Sequence, residues 1–341
     1  MTDHRIAISI GDPAGIGPEV ALKAALDPRV RRVSRPVLVG DIGFIETHAR
    51  LAGLTPTLRR FAAAGDIDWS ADGVPVLDPG TLGGPLAIGK IAASHGRAAY
   101  AAVTLATQAA LAKSVDAVVA APITEVAIRD AGIAYDGNPS FLARLTGVPE
   151  EDVFLMLCFD DKRIAHATLH VGVARAIALI TPDRVRRVVS ATDRVLRRLG
   201  IGAPRIAVSG LNPHAGEDGM FGDEETRIIA PAVAAAREGG INAEGPFGAD
   251  TMFHRPGYDA FVVMIHDQGH VAAKLLAPNR IAGLAIGTDI LFSSVAHGSA
   301  LDIAGTGKAD HAGMVEAVLR LVGAEEHNKY PSPPLGVERA G

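Results

Sequence analysis

A chain of 341 residues that is 48% hydrophobic, with a mean hydropathy of +0.23, can hold one large or two ordinary domains around substantial cores. Its formal net charge of -5 and pI near 6.2 leave no electrostatic footprint for nucleic acid, and the basic clusters Arg184-Val185-Arg186-Arg187 and Arg197-Arg198 sit at helical spacing beside apolar positions, as solvated helix faces do. A single cysteine, Cys158, excludes an intramolecular disulfide. With no basic-then-apolar leader pattern at the amino terminus and no uncharged stretch near the roughly 18 residues of a spanning helix, the expectation is a soluble, cytoplasmic protein without nucleic-acid or membrane partners.

Residues 5–10 are a short β-rich run that meets Gly11-Asp12-Pro13-Ala14-Gly15-Ile16-Gly17-Pro18-Glu19 and then a helical pattern over 20–25. The glycines resemble a dinucleotide fingerprint, yet Pro13 and Pro18 stiffen the turn, the spacing is not G-x-G-x-x-G, and no acidic residue ends a second strand about 20 residues on. A tight strand-to-helix turn is the better reading. Residues 36–40 read as a strand, 44–52 as a helix, 78–89 as a Gly/Pro-rich loop, 94–112 as a long alanine-rich helix and 115–122 as a strand. Further strands fall at 153–159, 163–169, 205–209 and 260–265, with helices at 182–199 and 224–238, and the proline-containing tail from 325 reads as frayed. Strand and helix alternate, which predicts a parallel or mixed sheet. Neither an internal repeat nor a Ser/Gly linker divides the chain, so two lobes sharing one sheet are expected, residues 1–136 with 275–341 and residues 137–274.

Three histidines stand just past apolar runs: His170 after Ala167-Thr168-Leu169, His214 in Leu211-Asn212-Pro213-His214-Ala215-Gly216-Glu217, and His266 after Val263-Met264-Ile265. Any one of them alone reads as a hydrogen-bonded structural histidine; together, three neutral imidazoles with an open position suit a divalent catalytic ion. Asp250 and Asp267 are available to hydrogen-bond such ligands or to move protons; either also reads as a helix cap, which is the better reading of Asp250 from sequence alone. Lys274 can bind an anionic substrate or donate a proton, or be an ordinary surface lysine. From His297 to Asp310 the chain is too rich in small residues for a strand or a good helix. Gly298, Gly305 and Gly307 admit backbone close to a ligand, and Asp302 suits ribose hydroxyls while repelling a 2′-phosphate, which favours NAD over NADP; the competing reading is a surface loop.

Taken together, Gly11-Asp12-Pro13-Ala14-Gly15-Ile16-Gly17-Pro18-Glu19, Leu211-Asn212-Pro213-His214-Ala215-Gly216-Glu217, His266-Asp267-Gln268-Gly269 and His297-Gly298-Ser299-Ala300 resemble the 4-hydroxythreonine-4-phosphate dehydrogenase (PdxA) family, in the same order and over nearly the whole chain. The resemblance implies a three-layer α/β/α fold of the isocitrate and isopropylmalate dehydrogenase type, two lobes with a cleft, and a homodimer that shares its active site. It implies one divalent ion (Zn, Co, Mn or Mg) on His170, His214 and His266, with one histidine supplied across the dimer. Asp250, Asp267 and Lys274 would be catalytic. NAD would lie along His297, Gly298, Ser299, Ala300, Asp302, Gly305, Gly307 and Asp310. The chemistry implied is oxidation of a secondary alcohol in a hydroxy acid, followed by decarboxylation of the β-keto acid.

Departures from the family bear on the substrate. Asn138-Pro139, Gly283 and Phe292 stand where the family reads a phosphate with a His-Thr pair, an asparagine and an arginine, and Glu125 stands where it usually has a lysine; only Lys274 remains. Losing several charge-assisted bonds at roughly 1.5–3 kcal/mol each weakens phosphate binding by orders of magnitude. Val153-Phe154-Leu155-Met156-Leu157, Thr168-Leu169-His170, His266-Asp267-Gln268-Gly269-His270, Lys274-Leu275-Leu276-Ala277-Pro278-Asn279 and Ser293-Ser294-Val295 resemble the terephthalate dihydrodiol dehydrogenases within that family. The expected substrate contacts are Asn138, Ser140, Lys274, Gly283 and Phe292, with the aromatic Phe292 suiting a non-phosphorylated, ring-shaped hydroxy acid. The alternatives are 4-hydroxythreonine 4-phosphate or a four-carbon sugar-acid 4-phosphate as substrate, a phosphate acyltransferase without NAD, and a non-enzymatic NAD-binding regulator.

Overall fold

The computed structural model describes residues 4–277 and 281–323. Short apolar runs between turn signals build one sheet of twelve strands among them. They are β1 His4–Ser9, β2 Ser34–Val39, β3 Leu58–Phe61, β4 Val74–Leu77, β5 Ala117–Ala120, β6 Phe154–Phe159, β7 Lys162–His166, β8 Arg205–Ser209, β9 Asn242–Phe247, β10 Ala260–Val263, β11 Ala282–Ile286 and β12 Leu291–Val295. Their spatial order is β3-β4-β2-β1-β5-β12-β11-β6-β7-β10-β8-β9. The pairs β12–β11, β11–β6 and β6–β7 are antiparallel and the rest parallel. Three reversals in the middle mean that the parallel half containing β1 and the parallel half containing β10 run in opposite directions.

Helices cover both faces, as α/β layering requires of a sheet apolar on both sides. Alternation along β1 shows the division, since Ile6 and Ile8 enter one core and Ala7 the other. Over the first face lie α1 Gly17–Leu26, α2 Pro28–Val33, α3 Ile42–Leu51, α8 Pro182–Arg198, α9 Ala230–Glu238 and α11 Ala312–Leu321, joined in one continuous apolar core. On the other face sit α4 Ala93–Leu111 and α6 Asn138–Thr146, and beside β6, β7 and β10 the helix α10 His266–Leu276. The shorter α5 Glu125–Asp130 packs on α4, and α7 Val173–Leu179 follows the turn after β7. This is the three-layer α/β/α arrangement expected. None of the helices among the described residues is long and apolar enough to cross a membrane.

Several boundaries differ from the sequence expectation. The runs at 163–169 and 260–265 end as strands at His166 and Val263, and the helix expected over 224–238 opens with a π turn at Glu225–Ile229 before α9. The strands β3, β4, β9, β11 and β12 and the helices α2, α5, α6, α7, α10 and α11 were not anticipated. Four of them carry residues that blur the pattern: Pro75 in β4, Gly245 and Pro246 in β9, Gly283 in β11 and Gly269 in α10. The tail from 325 lies outside the described residues.

Gly11 at the end of β1 shows how tightly the first turn is held. It has φ +66°, and a Cβ there would stand 2.2 Å from the backbone oxygen of Pro122. Left-handed strain of roughly 1–2 kcal/mol adds to an overlap costing about 1–3 kcal/mol. Gly11→Ala should therefore lower the thermal midpoint by about 5 °C or more, read by calorimetry.

Candidate active site

The carboxyl end of β10 turns directly into α10, and Gln268 makes the junction. Its Oε1 accepts from the backbone N–H groups of Met264 (2.9 Å) and Ile265 (3.1 Å), and its Nε2 donates to the carbonyl of Gly210 (3.0 Å) past the end of β8. One side chain thus ties the β10 end, the first turn of α10 and the loop that carries His214. His266, His270 and Lys274 follow at i, i+4 and i+8 along one face of α10. The rings of His266 and His270 stack with centroids 3.7 Å apart and planes 9° apart.

Beneath His270 lies a residue absent from the expected site, His166 at the end of β7, which is 1% exposed. Its Nε2 is 3.1 Å from Nδ1 of His270 and its Nδ1 is 3.3 Å from the carbonyl of Leu155. Gly269 makes room for it, because a Cβ at 269 would stand 2.3 Å from His166 Nε2. Burial, with His270 alongside, pushes the His166 pKa down to about 3, and burial, with His266 alongside, pushes His270 down to about 4. The only sequence signal for His166 was a lone histidine closing an apolar strand, which reads as core.

His170 and His266 are brought together, with ring centroids 5.7 Å apart. Two imidazoles at that spacing can share one ion at metal–nitrogen distances of roughly 2.0–2.1 Å. His266 is also prepared for the role: its Nδ1 donates to Asp267 Oδ1 at 2.6 Å, which leaves Nε2 for the ion. His214 is elsewhere. It sits on a left-handed turn, with φ +54° at His214 and Ala215, and its side chain is 65% exposed, 3.9 Å from Glu217 and tilted against Phe221 with ring centroids 6.1 Å apart. Asp250 is exposed; a Cβ on Gly248 would stand 2.9 Å from its Oδ1 and 4.0 Å from the His214 Cα, and Asp250 does not cap the short 252–254 helix, whose N-cap is Thr251. Among the described residues, no group of three His, Cys, Asp or Glu side chains within one chain could hold an ion. A single chain therefore offers a fitting pair, with the third histidine on a separate exposed turn.

Around 297–310 the chain folds as turns packed on the first loop. Ile16 N–H donates to the Ser299 carbonyl (2.9 Å), the Thr124 hydroxyl donates to Ser299 Oγ (2.9 Å), and a Cβ on Gly15 would stand 2.6 Å from the Ser299 carbonyl. Gly15 and Ile16 of the glycine-rich motif thus form the seat of Ser299. Gly298 is exposed with open space around it, Ala300 takes φ +40°, and Gly305 and Gly307, both left-handed, run against Leu51 and Ala52 at the end of α3. Lys23 reaches across from α1, bonding Glu19 (2.6 Å) and the carbonyls of Gly307 (3.0 Å) and Ala309 (2.9 Å), while Glu19 accepts from Ala309 N–H (3.0 Å). Asp302 is exposed. Among the described residues His297 bonds only the adjacent Gly298 carbonyl, and Asp310, one residue before the His311 N-cap, accepts from Ala312 N–H (2.9 Å) at the start of α11. No hydrogen bond among the described residues links this loop to the histidine cluster.

The expected substrate contacts divide. Lys274 is exposed on α10. Asn138 opens α6 and accepts from the Tyr135 hydroxyl at 2.6 Å, Ser140 bonds Glu150, and Gly283 is buried between Leu155 and Ser294. Phe292 needs correction as a pocket wall. It is 1% exposed and packed in the core under α4 and α6 with Val118, Phe141 and Ala285, because β12 turns that position toward the helix layer.

The family model for the pyridoxal phosphate biosynthetic protein PdxA matches residues 32–320. The chain belongs to the PdxA family. It is 39% identical over 325 residues to a D-threonate 4-phosphate dehydrogenase of Cupriavidus necator, covering 93% of this chain and 97% of that protein. It is likewise 39% identical over 325 residues to a 1,2-dihydroxy-3,5-cyclohexadiene-1,4-dicarboxylate dehydrogenase of Comamonas, covering 95% and 99%. In three dimensions it resembles the 4-hydroxythreonine-4-phosphate dehydrogenase of Klebsiella pneumoniae, with a TM-score of 0.84, 36% identity and coverage of 95% and 100%. These PdxA-family relatives are dehydrogenases, and they support reading this chain as an oxidoreductase.

Two outcomes test this geometry. Lys23→Met leaves the Glu19 carboxylate and two carbonyls without their cation, so amide exchange at 307–309 should accelerate selectively, read by hydrogen-exchange mass spectrometry; unchanged protection there would contradict the clamp. Folding depresses the His166 pKa from 6.5 to about 3, so its contribution to stability is full above the unfolded value and is lost as the pH falls toward the folded one. Urea unfolding of the metal-stripped protein should show stability declining below neutral pH, and His166→Phe should flatten that decline.

Proposed function

We propose that the chain is an NAD- and divalent-metal-dependent dehydrogenase that oxidises a secondary alcohol of a non-phosphorylated, dihydrodiol-type hydroxy acid, decarboxylates the β-keto acid, and works as a homodimer in the cytoplasm. The observation that carries this reading is α10. It presents His266, aimed as an ion ligand by Asp267 and paired with His170, on the same face as Lys274. Of the positions expected to read a phosphate, Asn138, Gly283 and Phe292 bear no charge, which leaves a single exposed ammonium suited to a carboxylate.

When bound, the ion draws electron density from the substrate oxygen and NAD accepts the hydride. The chain's own residues do the rest. His170 and His266 hold the ion, Asp267 fixes the His266 tautomer, and Lys274 neutralises the substrate carboxylate. Asp250 and Asp267 are the carboxylates placed for proton transfer. Gly298, Gly305 and Gly307 let the 297–310 backbone approach the dinucleotide beside His297, Ser299 and Ala300, and Asp302, with no hydrogen-bond partner among the described residues, suits the ribose hydroxyls of NAD. Exposed apolar side chains flank the histidine cluster, Val171 (43%), Val173 (64%) and Ile177 (44%) on one side and Val271 (53%) and Leu275 (78%) on α10. Such a surface supports burial against a second copy, which also gives the exposed His214 an ion to complete in the partner.

A second reading, a four-carbon sugar-acid 4-phosphate as substrate, is favoured by the equal identity to the D-threonate 4-phosphate enzyme. Purified protein with NAD and Zn, Co, Mn or Mg in turn distinguishes them through NADH formation. The dihydrodiol dicarboxylate should turn over with the higher kcat/KM and EDTA should abolish it. Higher kcat/KM with D-threonate 4-phosphate or 4-hydroxythreonine 4-phosphate would replace the non-phosphorylated substrate with a phosphorylated one.

A further inference from the structure

His270 has no part in the reading above, which assigns the ion to His266 and the anion to Lys274, yet it stands between them on the same helix face. Its hydrogen bonds have a definite polarity. The Leu155 carbonyl can only accept, so Nδ1 of His166 carries the proton that bonds it at 3.3 Å. Nε2 of His166 is then the acceptor, and the proton in its 3.1 Å contact with His270 belongs to Nδ1 of His270, which also lies 3.3 Å from the His266 carbonyl. A neutral His270 with Nδ1–H has a bare lone pair on Nε2. No described residue donates to that atom, and no carboxylate bonds the ring to favour a second proton. A bare imidazole nitrogen binds an O–H donor and repels phosphate or carboxylate oxygens.

We propose that His270 is a specificity residue that accepts a hydrogen bond from a second hydroxyl of the substrate, in the tautomer that His166 and the Leu155 carbonyl impose. The inference rests on the dehydrogenase reading and narrows its substrate to a diol acid. The oxidised hydroxyl lies toward His266 and its neighbour toward His270, whose ring is parallel to that of His266 at 3.7 Å between centroids. His166 is the positioning residue: buried, out of reach of substrate, and acting through the proton it requires on His270.

The tautomer is read directly in the full-length protein labelled with 15N-histidine. A long-range proton–nitrogen spectrum, with His270 assigned by His270→Gln, should show Nδ1 protonated and Nε2 bare. His166→Phe should move His270 toward the Nε2–H form. In kinetics with the dihydrodiol dicarboxylate and with D-threonate 4-phosphate, His270→Leu should lower kcat/KM about tenfold, mainly through KM, the size of one lost hydrogen bond. His270→Gln, whose Oε1 still accepts, should recover most of that loss, and His270→Arg should not. An Nε2–H or cationic His270, or a gain in affinity with His270→Arg, overturns the inference. If the protein oxidises neither probe, the proposed substrates fall and the second-hydroxyl inference, which rests on them, falls too; a bare Nε2 in the spectrum then shows that the substrate and not the tautomer was at fault.

Discussion

The three hydrogen bonds of Gln268 hold the candidate site together. They join the end of β10, the first turn of α10 and the Gly210 carbonyl past β8, so His266 and the approach to His214 are oriented by one amide. Everything on α10 inherits that placement: His266 faces His170, His270 rests on the buried His166, and Lys274 completes the stripe. Gly269 is the matching constraint on the packing side, because His166 occupies the space any larger residue would need. The run His266-Asp267-Gln268-Gly269-His270 is thus one chemical residue, its partner, a fastener, a space and a second imidazole.

The sheet explains why the site falls into two groups. With its parallel halves reversed across the central antiparallel strands, β1 and β12 send their ends to one assembly and β7 and β10 send theirs to another. The first assembly is the Gly11–Glu19 loop carrying residues 297–310, fastened by Lys23 and Glu19. The second is the histidine cluster. The proposed homodimer, covering the apolar surface around the cluster, would give the exposed His214 a place at the ion.

Motif positions were more legible than the faces they occupy. Strand and helix alternation gave the α/β layers, and the tight strand-to-helix turn read from Gly11 to Glu19 is the one the structure shows, with Gly15 packed on Ser299. The helix α10 was hidden because histidine, aspartate and glycine in a first turn look like a loop. Phe292 was read as a pocket wall from its motif position alone, whereas the pleat of β12 turns it into the core. His166 was invisible for a related reason: a histidine closing an apolar strand is ordinary, and only the contact with His270 gives it a function.

The proposed chemistry turns on His170 and His266 holding one ion. Calorimetric titration of Zn into EDTA-stripped protein tests it most directly. About one site per chain, lost alike in His170→Ala and His266→Ala while both variants stay folded, is the predicted result. Zn binding that survives either substitution, or no binding to the unsubstituted chain, would contradict it.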